Sequence, residues 1–465
     1  MQLTFKDLSG LPGGRWLVEP ESGDGMITAV CDDSRKLAPG AIFVAIAGEL
    51  TDGHRYVAAA LEAGASGIIV QQEPDEAVMS RLASRPCPCL LVPDSLRAFQ
   101  QLALKHLQSF SDLRVLAITG SCGKTSTKEM LAAVLSRRWP ERVLKTLGNT
   151  NNHFGVPRNL FRINESTAAA VIEMGTNHPG EIANLVSLAP PQVALVSNIG
   201  HAHLEFFHNL EGVATEKGDI LAGILPGGTA VFPQEAVGAE ILRAKAGDRR
   251  IITFGTSDDA DVQYTYCGYK GGNFRLKLFW RATGIMREVV WGIGGAHMAS
   301  NAAAAAAAAT AMGLTPEEIV SGLEACVLPG QRQEIFEVKG VHWVNDAYNS
   351  NPDSCRASIG WFAEVTPKLA TRVLVLGDMR ELGENAHEAH KSVIAEAVAK
   401  CPDAQLITVG EEMRRAVAAL NLHGILSVDD VEEVRKPLEN FTVDGAWILL
   451  KGSHSINLPV LCPAK

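Results

Sequence analysis

The chain has 465 residues, 46% of them hydrophobic and 20% charged, and that length suffices for about three domains of roughly 150 residues each. This balance excludes intrinsically disordered and fibrous proteins. The 42 Lys and Arg against 52 Asp and Glu give a net charge of −10. That charge argues against a protein that coats nucleic acid or an anionic membrane, although one anionic small molecule remains compatible with it.

The first residues and the cysteines indicate the compartment. The N-terminal stretch lacks a basic segment followed by an apolar core, and no run approaches the ~20 apolar residues of a membrane span. The nine cysteines are scattered and odd in number, which favours a reducing compartment over a disulfide framework. We therefore expect a cytoplasmic monomer with no nucleic-acid partner and no membrane insertion.

Apolar runs alternate with helical stretches over the first 94 residues, which predicts a small α/β domain. Strands are predicted at 40–48, 67–70 and 89–92, and a helix at 56–65. Pro93-Asp94 breaks this pattern, and Ser95 is placed to cap a helix over 96–110. The first domain boundary is therefore predicted between 94 and 95.

The central region begins with a buried strand, a glycine-bearing loop and a helix. Strands are predicted at 114–119, 169–174 and 193–197. Alternating residues over 262–295, around Gly271-Gly272, predict antiparallel hairpins, and an alanine-rich helix follows at 297–312. Leu328-Pro329-Gly330 marks the second boundary, so the second domain is predicted at 95–328.

The last segment, 329–465, returns to alternating strands and helices. Strands are predicted at 373–377, 406–410 and 447–452, and a helix at 386–400. Short apolar strands separated by helices indicate a mostly parallel sheet, whose ligands lie at the carboxyl ends of the strands.

The segment from Thr119 to Thr127, TGSCGKTST, is the strongest local motif. Backbone N–H groups at a helix start bind phosphate, Lys124 adds a positive charge, and the Thr125 hydroxyl can reach Mg²⁺. The match to the Walker pattern is imperfect, because that pattern requires glycine where this chain has Ile118. The alternative is an ordinary glycine-rich turn between a strand and a helix.

Candidate magnesium ligands follow two later strands. Glu173 ends a predicted strand and is placed to face the phosphates, and hard oxygen ligands suit Mg²⁺. His201 and His203 follow the next strand, and residue chemistry alone does not choose between them or exclude ordinary loop histidines. Lys217 would by default be a solvated helix lysine.

Several long segments occur in a fixed order: GKTSTKEML, GNTNNHFGVP, EMGTNHPGEIA, NDAYNSNPDS, LGDMRELGE and the terminal KGS. Together they resemble the Mur ligases, ATP-dependent enzymes that add peptide to the UDP-linked precursor of peptidoglycan, over essentially the whole chain. The resemblance implies an α/β protein of three domains. These are an N-terminal UDP-binding domain (1–94), a central P-loop ATP-binding domain with a mostly parallel sheet (95–328) and a C-terminal Rossmann-like domain (329–465).

The resemblance also assigns nucleotide contacts. It places the ATP phosphates on Gly120, Ser121, Cys122, Gly123, Lys124, Thr125 and Ser126. Asn301 matches the residue that contacts adenine, Arg332 the one that reaches the γ-phosphate and Asp346 the one that contacts the ribose. Cys122 is a departure, since many relatives carry Asn there, and His454 stands where Arg is common.

Two Mg²⁺ ions are implied, with ligands from Thr125, Glu173, His203 and Lys217. The context His-apolar-acid selects His203 over His201. Lys217 matches a lysine that is carbamylated in the family, and burial beside metals would leave a lysine neutral enough to react with CO₂. The catalytic residues expected on this basis are Lys124, His203, Lys217 and Arg332.

Substrate contacts carry over as well. Ser34 and Arg35 match a segment that contacts the uridine diphosphate, and Asn151, Asn152, Thr176 and Asn177 lie where the sugar–pyrophosphate is held. Asn349 and Asn351 belong to the region expected to hold the amino substrate.

The implied reaction joins D-alanyl-D-alanine to UDP-N-acetylmuramoyl-tripeptide through an acyl phosphate. LGDMREL replaces the Asp-Asn-Pro-Arg segment of the relative that adds diaminopimelate or lysine, which favours the dipeptide. Closure of the C-terminal domain, hinged near Leu328–Gly330, is expected to exclude water. The alternatives are another Mur ligase step, folylpolyglutamate synthase, or a nucleotide-binding switch without catalysis.

Overall fold

The computed structural model describes residues 1–48, 51–84, 87–270 and 273–464. The strands are β1 (Leu3–Thr4), β2 (Arg15–Val18), β3 (Met26–Ile27), β4 (Ala29–Cys31), β5 (Ala41–Val44), β6 (Gly67–Val70), β7 (Cys89–Leu91), β8 (Arg114–Thr119), β9 (Val143–Lys145), β10 (Ala169–Glu173), β11 (Val193–Val196), β12 (Thr229–Pro233), β13 (Arg250–Gly255), β14 (Val262–Lys270), β15 (Asn273–Trp280), β16 (Ile285–Trp291), β17 (Glu334–Val338), β18 (Val341–Asn345), β19 (Arg372–Gly377), β20 (Gln405–Val409), β21 (Leu426–Val428) and β22 (Trp447–Lys451). The helices are α1 (Phe5–Ser9), α2 (Val57–Glu62), α3 (Glu76–Ser84), α4 (Ser95–Gln108), α5 (Lys124–Arg138), α6 (Gly155–Leu160), α7 (Glu181–Leu188), α8 (Leu204–Phe207), α9 (Leu210–Ala222), α10 (Ala239–Ala246), α11 (Ala296–Ala311), α12 (Pro316–Glu324), α13 (Pro352–Val365), α14 (Ala386–Lys400), α15 (Glu411–Ala419) and α16 (Arg435–Glu439). Within the described ranges, no helix combines the length and apolar character needed to cross a membrane.

The chain divides into two compact units. The first consists of Met1–Ala117, Arg142–Met174 and Asn184–Pro191. The second consists of Ile118–Glu141, Gly175–Ala183 and the chain from Gln192 onward. This division does not test the predicted boundaries at 94/95 and 328/329, which stay a prediction.

The first unit contains a five-stranded sheet in the order β2-β7-β6-β5-β4. Strands β4 to β7 are parallel and β2 runs antiparallel to β7. Alternate residues serve opposite faces, because Ile42 and Val44 pack with Phe99 of α4 while Phe43 packs with Val57 of α2. Both faces are therefore covered, which explains the uninterrupted apolar runs of these strands.

The predicted cap of α4 is wrong by one residue. The Asp94 carboxylate accepts from the N–H of Arg97, whereas the Ser95 hydroxyl donates to Gln71 at 2.9 Å. Asp and Ser are both good caps, and Asp94 has the extended backbone that the position requires. The same unit holds β10, wholly buried and parallel to β9, and this strand ends at Glu173.

The second unit contains the strands β16-β15-β14-β13-β12-β11 in that order. Strands β11 to β14 are parallel, and β14 to β16 form antiparallel hairpins as the sequence predicts. The predicted turn at Gly271-Gly272 lies outside the described residues. Helix α11 buries every alanine from Ala302 to Ala309 and packs against α5, β13 and β14. Small side chains allow that close approach.

A second sheet of this unit has the order β17-β18-β22-β19-β20-β21. Adjacent strands in this sheet are parallel, except that β17 is antiparallel to β18. The predicted helix at 386–400 matches α14 at both ends. The mostly parallel sheet predicted for the last segment is therefore present.

Candidate active site

The loop between β8 and α5 has the backbone that the phosphate-binding motif requires. Gly123 is the N-cap of α5 with φ of 75°, and a Cβ there would collide with the Asn301 side chain. Lys124 begins the helix and its Nζ donates to the carbonyl of Gly120 at 2.7 Å. The helix start thus lacks a capping side chain, as anion-binding helix starts do.

Residues just after β11 fix the shape of this loop. The N–H of Cys122 donates to Asn198 Oδ1 at 2.7 Å, and the Ser197 hydroxyl donates to the carbonyl of Cys122 at 2.6 Å. The Ser121 N–H donates to the carbonyl of Asn198 at 3.2 Å. Sequence reasoning missed Ser197 and Asn198; their place at the end of a buried strand is the signal that could have found them.

Arg332 approaches the same loop. Its Nη2 donates to the Thr125 hydroxyl at 3.0 Å, and its guanidinium lies 4.2 Å from the centre of the Tyr348 ring. Gln331 and Gln333, on either side, have φ of 61° and 51°. Left-handed backbone is unfavourable for such residues, so two neighbouring positions carry strain to hold Arg332 in place.

Asp346 and Asn301 lie close to these groups but already have partners. Asp346 accepts from the N–H of Gln333 at 3.1 Å and from the Ser358 hydroxyl at 2.8 Å. Lys451 Nζ lies 3.2 Å from the same carboxylate. Asn301 is buried on α11, where its Nδ2 lies 3.6 Å from Met298 Sδ.

Lys217 is fully buried on α9, contrary to the default expectation for a helix lysine. Burial, together with the nearby positive charge of Lys124, lowers its pKa to about 7. Within the described part of the chain, its Nζ has no hydrogen-bond partner. A buried amine without a partner is rare and requires an explanation.

His203 faces a carboxylate from the loop after β19. Its Nδ1 lies 2.5 Å from Glu381 Oε2, and both residues have left-handed backbone, with φ of 56° and 63°. Burial lowers the pKa of His203, and hydrogen bonding to His203 lowers the pKa of the Glu381 carboxyl. Sequence reasoning missed Glu381, since 178 positions separate it from the histidine.

Asn351 meets the phosphate loop directly. Its Nδ2 donates to Cys122 Sγ at 2.9 Å, and the thiol lies 3.2 Å from its Oδ1. Burial raises the pKa of Cys122, so the protonated thiol can donate. Asn349 is exposed and its Oδ1 accepts from the N–H of Ser350.

Thr176 lies in the second unit and contacts a buried carboxylate, whereas Asn177 is exposed. The Thr176 hydroxyl lies 3.2 Å from Glu216 Oε1. Glu216 also accepts from the N–H groups of Gly180 and Ile182 at the start of α7. Its position beside Lys217 on α9 ties this turn to the buried amine.

The remaining predicted site residues lie in the first unit. Glu173 is buried, and its Oε1 accepts from Asn151 Nδ2 at 2.9 Å. The Asn152 side chain accepts from the N–H of Gly155 and so helps to begin α6. Ser34 and Arg35 form a short 3₁₀ turn in which Arg35 pairs with Asp33.

No group of three or more His, Cys, Asp or Glu side chains in the described residues is arranged to hold a metal by itself. Magnesium is commonly bound through one or two carboxylates, waters and substrate phosphates. The ligands predicted from the sequence likewise include few carboxylates, so waters and phosphates would complete the coordination of the ions.

Comparison with known proteins gives three consecutive family matches. The Mur ligase family catalytic domain matches residues 26–103, the Mur ligase middle domain 118–309 and the Mur ligase glutamate ligase domain 331–454. A UDP-N-acetylmuramoyl-tripeptide–D-alanyl-D-alanine ligase of Bacillus subtilis is 35% identical over 83% of this chain and 81% of its own. The chain is a Mur ligase. A ligase of the same name from Escherichia coli is 35% identical to this Mur ligase over 89% of the chain and 87% of its own.

Solved structures agree with this assignment. A MurF crystal structure from Acinetobacter baumannii has a TM-score of 0.88 and 30% identity, and covers 99% of this Mur ligase and 97% of its own chain. MurF from Thermotoga maritima in complex with ADP has a TM-score of 0.80 at 27% identity, over 93% and 96% of the two chains. The predicted family and the predicted α/β fold of three-domain Mur ligase type are thereby confirmed.

Proposed function

We propose that this Mur ligase joins D-alanyl-D-alanine to UDP-N-acetylmuramoyl-tripeptide at the expense of ATP. The product is the UDP-muramoyl pentapeptide used in peptidoglycan synthesis. The names of relatives at 30–35% identity support D-alanyl-D-alanine as the amino substrate. The observation that carries a phosphoryl-transfer mechanism is the meeting of Arg332 with Thr125 in the phosphate loop.

Gly120 to Ser126 would hold the ATP phosphates, with Lys124 and Arg332 as the two positive charges. Asn301, which lies against Gly123, is assigned to adenine, and Asp346 is assigned to the ribose. The carboxylate of the tripeptide attacks the γ-phosphorus, the bond to the β-phosphate oxygen breaks, and ADP leaves. The two cations offset the charge on the transferring group, since phosphoryl transfer depends mainly on positioning and electrostatics.

The acyl phosphate that results is attacked by the dipeptide amine. A peptide bond forms, the bond to phosphate oxygen breaks, and inorganic phosphate and one proton leave. Water would hydrolyse the acyl phosphate, so the site has to exclude it. We assign this exclusion to the C-terminal part of the second unit, in which Asn351 contacts Cys122 and Glu381 pairs with His203.

We assign two Mg²⁺ ions to Thr125, Glu173, His203 and a carbamylated Lys217. The bound ions would supply positive charge to the phosphoryl oxygens. The unpartnered, buried Lys217 amine supports the carbamate, because a neutral amine reacts with CO₂ to give an N-carboxylate and one proton. The product has the oxygen ligands that Mg²⁺ prefers.

The proposal also assigns residues to the substrates. Ser34 and Arg35 are assigned to the uridine diphosphate. The sugar–pyrophosphate is assigned to Asn151, Asn152, Thr176 and Asn177, and the amino substrate to Asn349 and Asn351.

We also propose that the chain has three domains, at 1–94, 95–328 and 329–465, and that the protein is a monomer. We propose the cytoplasm as its compartment, because nine free cysteines suit a reducing environment.

The alternatives share the phosphate loop and would differ in the amino substrate. Folylpolyglutamate synthase of Mycobacterium tuberculosis resembles this chain at only 15% identity, a likeness of fold alone. A nucleotide-binding switch without catalysis does not require a buried lysine near Lys124, so Lys217 favours the ligase over the switch.

An amino-substrate panel tests the proposal. Purified enzyme receives ATP, Mg²⁺ and UDP-muramoyl tripeptide with D-alanyl-D-alanine, L-lysine, diaminopimelate or L-glutamate, and a parallel arm replaces the tripeptide with a folate. Phosphate release and product mass should appear only with D-alanyl-D-alanine and the tripeptide. Product with another amine or with folate, or nucleotide turnover that needs no amine, would overturn it.

A further inference from the structure

A cavity of about 510 Å³ lies within the second unit, beside the phosphate loop. One wall contains Leu204, which directly follows His203, and another contains Pro352, which directly follows Asn351. Since Asn351 contacts Cys122 in the phosphate loop, two walls of the cavity begin one residue away from the proposed reaction centre.

The lining combines apolar side chains with polar and charged ones. Leu204, Val237 and Leu382 provide apolar surface, Glu211 and Glu388 are carboxylates, and Arg356 provides a planar cation. Binding cavities for small molecules are typically apolar with a few placed polar groups, and this volume lies in the usual range. The nucleotide and the UDP-sugar have other assigned positions, so the cavity is available to the third substrate.

Neighbouring side chains hold Arg356 in one orientation. Its Nη2 donates to the Ser392 hydroxyl at 2.9 Å, its Nη1 to Asp353 Oδ1 at 3.3 Å, and its Nε lies 3.4 Å from Glu396 Oε2. A guanidinium has five N–H donors. These contacts therefore leave one donor on each terminal nitrogen, which suits a carboxylate.

The length of the dipeptide matches the distance along α13. Pro352 and Arg356 are four residues apart on this helix, an axial rise of about 6 Å. Two extended residues span at most about 7 Å. A dipeptide whose carboxylate lies at Arg356 therefore brings its amine to the level of Pro352, next to Asn351, which contacts the phosphate loop.

We propose that this cavity is the acceptor site, in which Arg356 binds the terminal carboxylate of D-alanyl-D-alanine while the apolar wall contacts its two methyl groups. This inference rests on the proposed function. It also gives a reason for a dipeptide rather than a single amino acid, because one residue is too short to join the two ends.

The test pairs a variant with a substrate analogue. Wild type, Arg356→Gln and Arg356→Lys are assayed with D-alanyl-D-alanine and with D-alanyl-D-alaninamide, whose terminus is neutral. Charge-assisted hydrogen bonds are typically worth a factor of about 10 to 100, so amidation should raise the wild-type KM by that factor. Arg356→Gln should raise the KM for the free acid similarly and make amidation inconsequential, with Arg356→Lys in between.

Controls separate this site from folding and from the proposed function. Arg415→Gln, an exposed arginine on α15 paired with Glu412, should leave every KM unchanged. Ala389→Phe, which narrows the cavity from α14, should raise only the KM for the dipeptide and keeps the test open if Arg356→Gln fails to fold. Wild type that makes no product with D-alanyl-D-alanine would refute the proposed function. The proposed site would be refuted if the wild type is active but amidation still raises the KM of Arg356→Gln. It would also be refuted if Ala389→Phe has the wild-type KM for the dipeptide.

Discussion

At the scale of one residue, Lys217 has the most consequential surroundings. A charged ammonium group in its place would be buried without a partner and next to the positive Lys124, which is why its pKa falls to about 7. A neutral amine is a nucleophile, and the addition of CO₂ would convert it into an anion suited to Mg²⁺. The same burial that is unfavourable for the ammonium form therefore keeps the amine neutral and able to add CO₂, and bound Mg²⁺ would offset the charge of the carbamate.

We predict that Lys217→Ala lowers the rate of ligation by at least about 100-fold, the scale of lost electrostatic stabilisation in an active site. Formate or acetate should restore part of the activity by providing a free carboxylate. Lys245→Ala, which removes a half-buried lysine paired with Asp219 on α9, is the matched control and should remain active.

A second measurement addresses the carbamate itself. Wild type equilibrated with ¹³C-labelled CO₂ should show a carbamate carbon signal by NMR that is absent in Lys217→Ala and present in Lys245→Ala. The carbamate would be wrong if no such signal appeared, or if Lys217→Ala remained active without added acid.

Single residues also mark how far the sequence could predict the site. The motif over 119–127 indicates phosphate binding from local spacing alone, and its loop has the required backbone. Lys217 carries no local signal, and only the family resemblance pointed to it. Glu381 and Asn351 contact the site through tertiary packing, since Asn351 is 229 positions from Cys122, and no periodicity in the sequence encodes such a pairing.

At the scale of elements, the junction of β8, its loop and α5 depends on one backbone conformation. Gly123 has φ of 75° and its missing side chain leaves room for Asn301. A side chain at position 123 would be unfavourable for two reasons. It would adopt a left-handed backbone conformation, and its Cβ would collide with the Asn301 side chain. Only the collision is specific to the nucleotide site.

We predict that Gly123→Ala weakens ATP binding by at least about tenfold, because the start of α5 or the Asn301 side chain must move. Gly284→Ala is the control, since Gly284 has φ of 68° but nothing within 4 Å of its added Cβ. Both variants should lose about 1 kcal/mol of unfolding free energy from the left-handed conformation. Calorimetric titration with a non-hydrolysable ATP analogue should show weaker binding to Gly123→Ala than to Gly284→Ala. Equal affinities of the two variants for the analogue would contradict the prediction.

The elements themselves were largely predictable where hydrophobic periodicity is strong. Helix α14 and strands β6 and β8 match the predicted ranges, because apolar runs bounded by turn residues determine them locally. Helix α2 is shorter than predicted, and residues 53–56 before it form a 3₁₀ turn. The order of strands in each sheet, including the antiparallel edges β2 and β17, depends on long-range pairing that no single stretch specifies.

At the scale of the molecule, the chain after residue 330 contacts the phosphate loop and the strand ends near it through polar pairs within the second unit. These include Arg332 with Thr125, Asn351 with Cys122, Asp353 with the N–H of His201, and Glu381 with His203. Such pairs are polar and partly exposed, so each contributes modestly to stability. A contact surface of this kind suits a segment that opens and closes during turnover rather than a permanent core.

We therefore predict that residues 329–465 move about a hinge near Leu328–Gly330 and that ligands favour the closed arrangement. Small-angle scattering of wild type should show a smaller radius of gyration when a non-hydrolysable ATP analogue and UDP-muramoyl tripeptide are added together than with either alone. Arg332→Ala should reduce this contraction, because it removes the contact with Thr125 and a positive charge for the γ-phosphate, whereas Arg415→Gln should contract like wild type. Identical scattering profiles with and without both ligands would show that no such closure occurs, and the water-excluding step of the mechanism would then have to come from local rearrangement of the loop after β19.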